Sequence, residues 1–333
     1  MRNKKLWFKI IFVAILILII WYTFRGSWRD ILHQLTRTSP IVLLMIAGAS
    51  AVYHLFEGWI TCSLAKRYNP RFRYRDGVHC AFFCSFYRLS TLGSGQGVAA
   101  VIFLGKKEVG YSEATGLYMI QYMLHKVSIA LFSGILFLVN WRVMSHHYRD
   151  YAVYLILAYV LTVLISIGLI LLAVYPKSHT LILWLGSKLN YHHKLDGALQ
   201  KLKSGAQIME KSTAELLKDK KTIIVIVLKN LGKLCFWYCI PFLILLGTGE
   251  ISLLTSLAVT SLSVMTAAVI PTPAGIGSTE LIMTSLYSLL VDVNRAGAIT
   301  LLYRIATFIF PFVVGGALIL AARFMKRFFR SIR

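Results

Sequence analysis

Acidic residues are scarce in this sequence. It holds 13 Asp and Glu against 36 Lys and Arg in 333 residues, and charged residues make up only 15% of the chain. Soluble domains average roughly 25% charged residues. Together with 57% hydrophobic residues, this shortage excludes an ordinary soluble enzyme and indicates a polytopic membrane protein. Because the basic residues fall mostly between apolar runs, we expect no nucleic-acid binding.

Cysteine is also sparse, and no metal-binding pattern accompanies it. The five cysteines are Cys62, Cys80, Cys84, Cys235 and Cys239. The last four form two pairs at i, i+4 spacing inside apolar segments, without the His or carboxylate partners of a metal site. We interpret them as small packing residues and expect no disulfide framework. No nucleotide-binding loop or catalytic triad order stands out, so no cofactor is expected.

Long apolar runs dominate the remaining sequence. The run 6–24 follows basic residues, is long for a signal peptide and has no cleavage site after it. It predicts an uncleaved first membrane helix with a cytoplasmic N-terminus. A full span needs roughly 20 residues. The further apolar runs cover about 41–64, 78–104, 114–140, 151–175, 222–247, 251–270, 278–291 and 296–322.

Basic loops predict which side of the membrane each run starts from. The loop 66–76, the segment 176–221 and the tail from Arg323 are rich in Lys and Arg, so all three are predicted to be cytoplasmic. The run 78–104 must then begin and end inside. The stretch 91–97 would break a helix at its middle, which predicts a re-entrant hairpin. The segment 176–221 is expected to be an amphipathic helix on the inner leaflet or a solvated connector.

A second break follows the run 251–270. This run is expected to descend from outside, turn at 271–277 and return as 278–291, giving a second hairpin at 251–291. The sequence therefore predicts an all-α polytopic membrane protein, with a single domain over 1–333. It would have about six full spans and two oppositely oriented re-entrant hairpins, as in inverted-repeat transporters.

The second break carries the strongest functional signal. Its sequence, 271–280, reads Pro-Thr-Pro-Ala-Gly-Ile-Gly-Ser-Thr-Glu. A broken helix at membrane depth is tolerated mainly where it lines a site or a polar cavity. Glu280 could cap the N–H groups of the following helix, and an ionisable group at that depth is also a candidate site. The candidate site residues here are Pro271, Pro273, Gly275, Gly277 and Glu280.

Two arginines lie near the breaks. Arg304 is the lone charge in the last apolar run, where it would be costly unless paired; Glu280 or a lipid phosphate is the expected partner. Arg88 precedes the first break and is a candidate for contacting phosphate, although it could also snorkel to the interface. The glycines after it could cradle phosphate or allow a tight turn and close packing. They are Gly93, Gly95 and Gly97.

Further charges interrupt the other apolar runs. Glu57 and Lys126 are deep enough to be candidate site residues. Lys229 and Lys233 are one turn apart, and both are predicted to snorkel to the cytoplasmic interface. With His54 and His125, these groups suggest a polar interior, although each alone is better interpreted as part of a buried pair.

The stretch 271–280 resembles the P-x-P-G-G-x-G-x-x-E signature of the membrane domain of lysylphosphatidylglycerol synthases and related flippase-like proteins. All five candidate residues of that stretch match, and Ala274 stands where the family often has Gly. The stretches 93–97, 104–107 and 110–114 resemble the family's other arm, without the proline often found before its glycines.

The resemblance implies a bacterial lipid flippase or scramblase that moves aminoacylated phosphatidylglycerol and gives resistance to cationic peptides. Membrane phospholipids, anionic or aminoacylated, would be its partners. Glu280 would engage a headgroup amine or a proton, and Arg304 or Arg88 the phosphate. The protein would lie in the bacterial plasma membrane with both termini in the cytoplasm.

Two alternatives stay open. Relatives that transfer lysine to the lipid use a soluble C-terminal domain, and this sequence ends at Arg333, so we expect no transfer by the chain alone. It could instead be the membrane subunit of a phosphatidylglycerol lysyltransferase, or of another lipid-carrier transferase, with catalysis supplied by a separate soluble protein. It could also be a structural membrane partner without transport.

Overall fold

The computed structural model describes residues 38–174, 218–246, 249, 251–270 and 272–331. The predicted first helix, most of the segment 176–221, and Pro271 lie outside the described residues. All regular elements within the described ranges are helical. They are α1 (Pro40–Ala65), α2 (Tyr74–Ser90), α3 (Gln96–Gly105), α4 (Tyr111–Val139), α5 (Trp141–His147), α6 (Ala152–Val174), α7 (Lys220–Tyr238), α8 (Ile240–Ile244), α9 (Leu253–Val269), α10 (Ser278–Tyr287), α11 (Val293–Arg304) and α12 (Phe310–Ser331).

Five helical stretches in the described part of the chain are long and apolar enough to cross a membrane. They are Pro40–Ala65, Tyr111–Val139, Arg149–Gly168, Lys220–Ile244 and Val293–Ala322. Each coincides with an apolar run that the sequence assigned to a full span. The all-α polytopic fold is therefore confirmed, while the sixth predicted span lies outside the described residues.

The described chain repeats one pattern of helices. After the span α1 comes a 17-residue helix, α2, then a break and a 10-residue helix, α3, followed by the span α4. After the span formed by α7 and α8 comes a 17-residue helix, α9, a break and a 10-residue helix, α10. The span that contains α11 and α12 then follows. The two hairpins thus have the same construction, which agrees with the predicted repeat.

Hydrogen bonds and an ion pair hold the open end of the first hairpin together. The Asn69 side chain donates to the carbonyl oxygen of Lys107 at 2.8 Å. Lys107, just after α3, also forms an ion pair of 2.6 Å with Asp76 in the first turn of α2. The hairpin therefore begins and ends at one face of the bundle, and its break forms the tip of the hairpin. Its insertion from the cytoplasm stays a prediction.

The second hairpin has its open end at the opposite face. Tyr287, the last residue of α10, donates to the carbonyl oxygen of Ser256 near the start of α9 at 3.2 Å. Tyr148 donates to the carbonyl oxygen of Leu286 at 2.9 Å, which ties this end to the segment between α5 and α6. The start of α7 lies against the end of α1 through the Arg67–Asp219 ion pair. Since α7 runs opposite to α1, the second half is inverted relative to the first.

Three local features differ from the sequence prediction. The expected loop between α4 and α6 contains the short helix α5. The predicted single run 222–247 is divided at Cys239, because Pro241 has no N–H with which to continue the helical hydrogen bonds. The last run contains a π-helical turn at Ile305–Ile309. Pro311 lies just beyond it and likewise removes a backbone donor from the helix.

Candidate functional site

The break of the second hairpin is a tight turn with a capped helix behind it. Pro273 opens a 3₁₀ turn over Pro273–Gly275, in which Ala274 has a φ of 55°. Gly277, with a φ of 84°, directly precedes α10. Its N–H donates to Oε2 of Glu280 at 2.8 Å. The capping role expected for Glu280 is therefore present, and one carboxylate oxygen satisfies backbone that the break leaves free.

The other oxygen of the same carboxylate holds an arginine from the last span. Nε of Arg304 lies 2.7 Å from Oε1 of Glu280, which confirms the predicted pairing. Arg304 also reaches the carbonyl oxygen of Gly275 at 3.5 Å and lies 4.4 Å from the centre of the Phe308 ring. It is 6% exposed. A lone Arg in a membrane helix costs about 2.5–3.5 kcal/mol on insertion scales, so this partner stabilises it there.

The two hairpins meet at their breaks. Gly93 has a φ of 96°, in the region that favours glycine. A Cβ atom placed on it would lie 3.2 Å from the backbone nitrogen of Ala274 and 3.6 Å from its Cβ. The first break therefore packs directly on the turn that carries Gly275 and, behind it, the Glu280–Arg304 pair.

The other glycines of the first break have structural contacts. The N–H of Gly95 donates to Oγ1 of Thr91 at 2.7 Å and helps to start α3. Gly97 lies in the first turn of α3, where a Cβ would come within 2.9 Å of the Tyr118 ring. These contacts favour the tight turn and the close packing over a phosphate cradle at Gly95 and Gly97.

Glu57 belongs to a buried polar network between α1, α4 and α7. Its two oxygens accept from Nζ of Lys233 at 2.5 Å and from Nε2 of Gln121 at 2.7 Å. Gln121 also lies 3.1 Å from the Thr61 hydroxyl. The network borders a cavity of about 50 Å³ that Arg88 lines as well. Each oxygen of Glu57 thus has a partner in the protein, and Glu57 also lines this cavity.

Lys233 corrects the sequence interpretation. Its side chain is 1% exposed and therefore does not snorkel to the interface. Thirteen residues separate it from the first residue of α7, a rise of about 20 Å. That depth exceeds the reach of a lysine side chain. Lys229, one turn nearer the start of α7, donates to Ser63 at 2.7 Å and lies 4.1 Å from the Trp59 ring centre.

A second cavity, of about 170 Å³, lies beyond Arg88. Arg88 and Lys126 both line it, together with His125 and with apolar residues of α6 and α9. Arg88 lies 5.4 Å from the centre of the Phe308 ring, whose other contact is Arg304. Lys126 lies 5.5 Å from the Tyr122 ring centre. Neither cation forms an ion pair with a carboxylate of the described residues.

The sequence-predicted residues thus form two neighbouring groups. Pro273, Gly275, Gly277, Glu280 and Arg304 cluster at the second break, with Gly93 against them. Glu57, Arg88 and Lys126 line the two cavities, and Arg88 faces both. Pro271 lies outside the described residues.

Several residues of these groups were not predicted. Lys233 was assigned to the interface, and Gln121 and Phe308 were not singled out. The depth of Lys233 along its helix was a usable signal, since its distance from the helix start can be counted from the sequence. Phe308 gave no signal, because an aromatic residue in an apolar run is ordinary. Phe308 lies in the π-helical turn, a feature that is often found at functional sites.

The family model for the lysylphosphatidylglycerol synthase TM region matches residues 8–315. No curated protein matches the chain. The matched range includes both hairpins, both cavities and every candidate residue described above. The chain therefore belongs to the lysylphosphatidylglycerol synthase TM region family.

Proposed function

We propose that this protein is a lipid flippase or scramblase that moves a phospholipid headgroup between the two leaflets. The observation that carries the proposal is the contact of the two breaks at Gly93 and Ala274, with the Glu280–Arg304 pair directly behind it. Helix breaks that approach from opposite faces and meet beside buried charges are typical of transporters with a site near the midplane.

The arrangement suggests how a headgroup could pass. Separating the two tips would open a polar path between the hairpins, while the acyl chains stay in the surrounding bilayer. The headgroup would meet Arg304 through its phosphate and Glu280 through an amine, if it carries one. Loss of one partner would leave the buried Arg304 unpaired, at a cost that the 37% exposure of the Glu280 side chain keeps below that of a fully buried pair. A headgroup with both charges would replace both partners and offset that cost.

Two lipids are candidate substrates under this proposal. Lysylphosphatidylglycerol carries an amine for Glu280 and a phosphate for Arg304, whereas phosphatidylglycerol carries only the phosphate. Family membership supports a role with membrane lipids. A bacterial plasma membrane, with both termini in the cytoplasm, is the expected location. Movement of the aminoacylated lipid to the outer leaflet would lower surface charge and contribute to resistance against cationic peptides.

The test is headgroup translocation in proteoliposomes, with labelled phosphatidylglycerol and labelled lysylphosphatidylglycerol measured separately. Glu280→Gln and Arg304→Gln are compared with the wild type. We expect each variant to slow translocation by about tenfold or more, equivalent to a barrier higher by roughly 1.4 kcal/mol. Asp150→Asn is the matched control, because Asp150 is an exposed carboxylate far along the chain from either break.

Each other result has a distinct meaning. If the wild type moves neither lipid although it is folded, the flippase proposal is wrong, and a membrane subunit that acts with a separate transferase becomes the better account. If both variants are folded and move lipid as fast as the wild type, lipid does not pass the second break. Gel filtration and thermal unfolding of each variant provide the required check of folding.

A further inference from the structure

The apolar runs of this chain contain more basic than acidic residues. The apolar runs contain two carboxylates, Glu57 and Glu280, and both are already paired, with Lys233 and Arg304. The run 6–24, outside the described residues, contains no Asp or Glu. No acidic residue of the apolar runs is therefore left for any other cation.

Two cations without an acidic partner lie together. Arg88 and Lys126 come from α2 and α4, and both line the cavity of about 170 Å³. In the described ranges, each contacts only an aromatic ring through its charged group: Phe308 for Arg88, Tyr122 for Lys126. Unpaired cations at membrane depth are expensive, and they mark the paths or sites of polar ligands. The cavity therefore needs an anion.

The cavity also has hydrogen-bonding groups without partners. The hydroxyl of Tyr238, a residue with 0% exposure, is buried and unpaired among the described residues, and Tyr238 lines this cavity. Nδ1 of His125, another lining residue, is likewise buried and unpaired. The volume of about 170 Å³ exceeds the roughly 30 Å³ of one water in the liquid. A group of several heavy atoms fits, and the two cations that line the cavity would meet it.

An apolar groove adjoins the same cavity. The groove, of about 480 Å³, lies between α6, α9 and α10 and is lined mainly by aliphatic and aromatic side chains. Val269 lines both the groove and the cavity. An acyl chain in the groove would thus adjoin an anion in the cavity, a combination that a phospholipid supplies and free phosphate does not.

We infer that the cavity between Arg88 and Lys126 binds the phosphodiester of an anionic phospholipid, with an acyl chain of that lipid in the groove at Val269. The inference rests on the proposed function, because the lipid bound here would be the substrate before its headgroup passes the second break. Arg88 and Lys126 supply the opposite charge. The single negative charge of the phosphodiester would then offset part of the positive charge of Arg88 and Lys126.

The experiment is a binding measurement in non-ionic detergent, without transport. Dioctanoyl phosphatidylglycerol is titrated into the purified full chain, and affinity is obtained from the rise in the unfolding temperature followed by tryptophan fluorescence. Glycerol phosphate tests the anion without chains, and dioctanoylglycerol tests the chains without the anion. We expect the lipid to bind at least about tenfold more tightly than either fragment, since each fragment lacks half of the contacts.

Substitutions locate the site. Arg88→Gln and Lys126→Gln should each weaken binding of the lipid by about tenfold or more, since each removes a charge-assisted hydrogen bond. Lys229→Gln is the matched control, because Lys229 is a half-buried lysine that does not line this cavity. Lys126→Glu would supply the missing carboxylate. It should fold, unfold at a higher temperature than the lipid-free wild type and lose lipid binding, which keeps the test decisive if Arg88→Gln does not fold.

Unchanged lipid affinity in Lys126→Gln and Lys126→Glu would overturn the inference, and so would equal binding of dioctanoylglycerol. Equal binding of glycerol phosphate would overturn the assignment of a lipid, because the source of the anion would then be a free phosphate ester. A protein that binds the lipid as expected but does not move it in proteoliposomes would contradict the proposed function and leave this site in place.

Discussion

The position of a Cβ atom on Gly93 lies 3.6 Å from the Cβ of Ala274, across the contact between the two hairpins. This separation falls within the roughly 3.5–4.5 Å found between the Cβ atoms of disulfides. The two breaks are 181 residues apart in the sequence, so the contact depends on the packing of the whole bundle. A disulfide between cysteines at these two positions would therefore hold the tips of the hairpins together.

We predict that Gly93→Cys/Ala274→Cys forms a disulfide under mild oxidation when the native cysteines are replaced by alanine. The bond should stop lipid translocation, because the tips could no longer separate, and a reductant should restore it. The single variant Gly93→Cys, treated identically, is the control for the strain of a side chain at a φ of 96°. Translocation by the oxidised, fully cross-linked protein would refute the opening of a path between the tips.

The buried pair of Lys233 and Glu57 should be strongly coupled. Lys233→Met leaves the Glu57 carboxylate without its cation, and we expect the free energy of unfolding to fall by about 3–5 kcal/mol. Adding Glu57→Gln should recover much of that loss, because the unpaired charge is then removed. Unfolding of the wild type, both single variants and the double variant gives the coupling energy. Additive losses would contradict a direct pair.

The close approach of α1 and α2 should tolerate no side chain at Gly77. A Cβ there would lie 2.2 Å from the carbonyl oxygen of Gly58, so backbone would have to move. We expect Gly77→Ala to destabilise the protein by about 1–3 kcal/mol, the usual range for overpacking. Gly48→Ala, in α1, is the matched control because a Cβ there meets nothing within 4 Å. It should be neutral or slightly stabilising in thermal unfolding.

The pH dependence of stability should include Asp219, which caps α7. Hydrogen bonds from the backbone and hydroxyl of Thr222, with the bond from Arg67, lower the pKa of Asp219 from 3.8 to about 2. A lowered pKa in the folded state means that the ionised carboxylate stabilises the protein fully above about pH 4 and less as the pH falls toward 2. Asp219→Asn should therefore lower the unfolding temperature, because it weakens the cap of α7. The decrease should be the same from pH 5 to pH 7, since Asp219 stays ionised over that range.

The difference between wild type and Asp219→Asn should narrow as the pH falls below about 4. Thermal unfolding across this range checks the prediction. A difference that grows on acidification would mean that the folded protein favours the protonated carboxyl, contrary to the contacts with Arg67 and Thr222.

The sequence predicted those parts of the structure that depend on local composition. Apolar length located the five described spans, and the glycines and prolines located both breaks. The Glu280–Arg304 pair was also predicted, because two opposite charges in otherwise apolar runs have few other partners. The contact of Gly93 with Ala274 was not predictable in detail, since it depends on how two distant hairpins pack.

Lys233 and the π-helical turn illustrate what local composition does not reveal. Lysine near a helix end commonly snorkels, and only the depth of Lys233 along α7 distinguishes it from Lys229. The turn at Ile305–Ile309 lies just before Pro311, which lacks a backbone donor. A proline in an apolar run predicts a disturbance in the helix, but not whether the helix kinks or widens.

The π-helical turn lies between two parts of the last span that contact different hairpins. An α-helix turns by about 100° per residue, and a π-turn accommodates one residue more than an α-turn. On one side, Arg304 is fixed by Glu280. On the other, Gly315 packs so closely on the backbone of Phe82 in α2 that a Cβ would lie 2.3 Å from its carbonyl oxygen. One continuous helix therefore contacts Glu280 of the second hairpin through Arg304 and Phe82 of the first hairpin through Gly315. A displacement of either hairpin would be transmitted to the other through this helix.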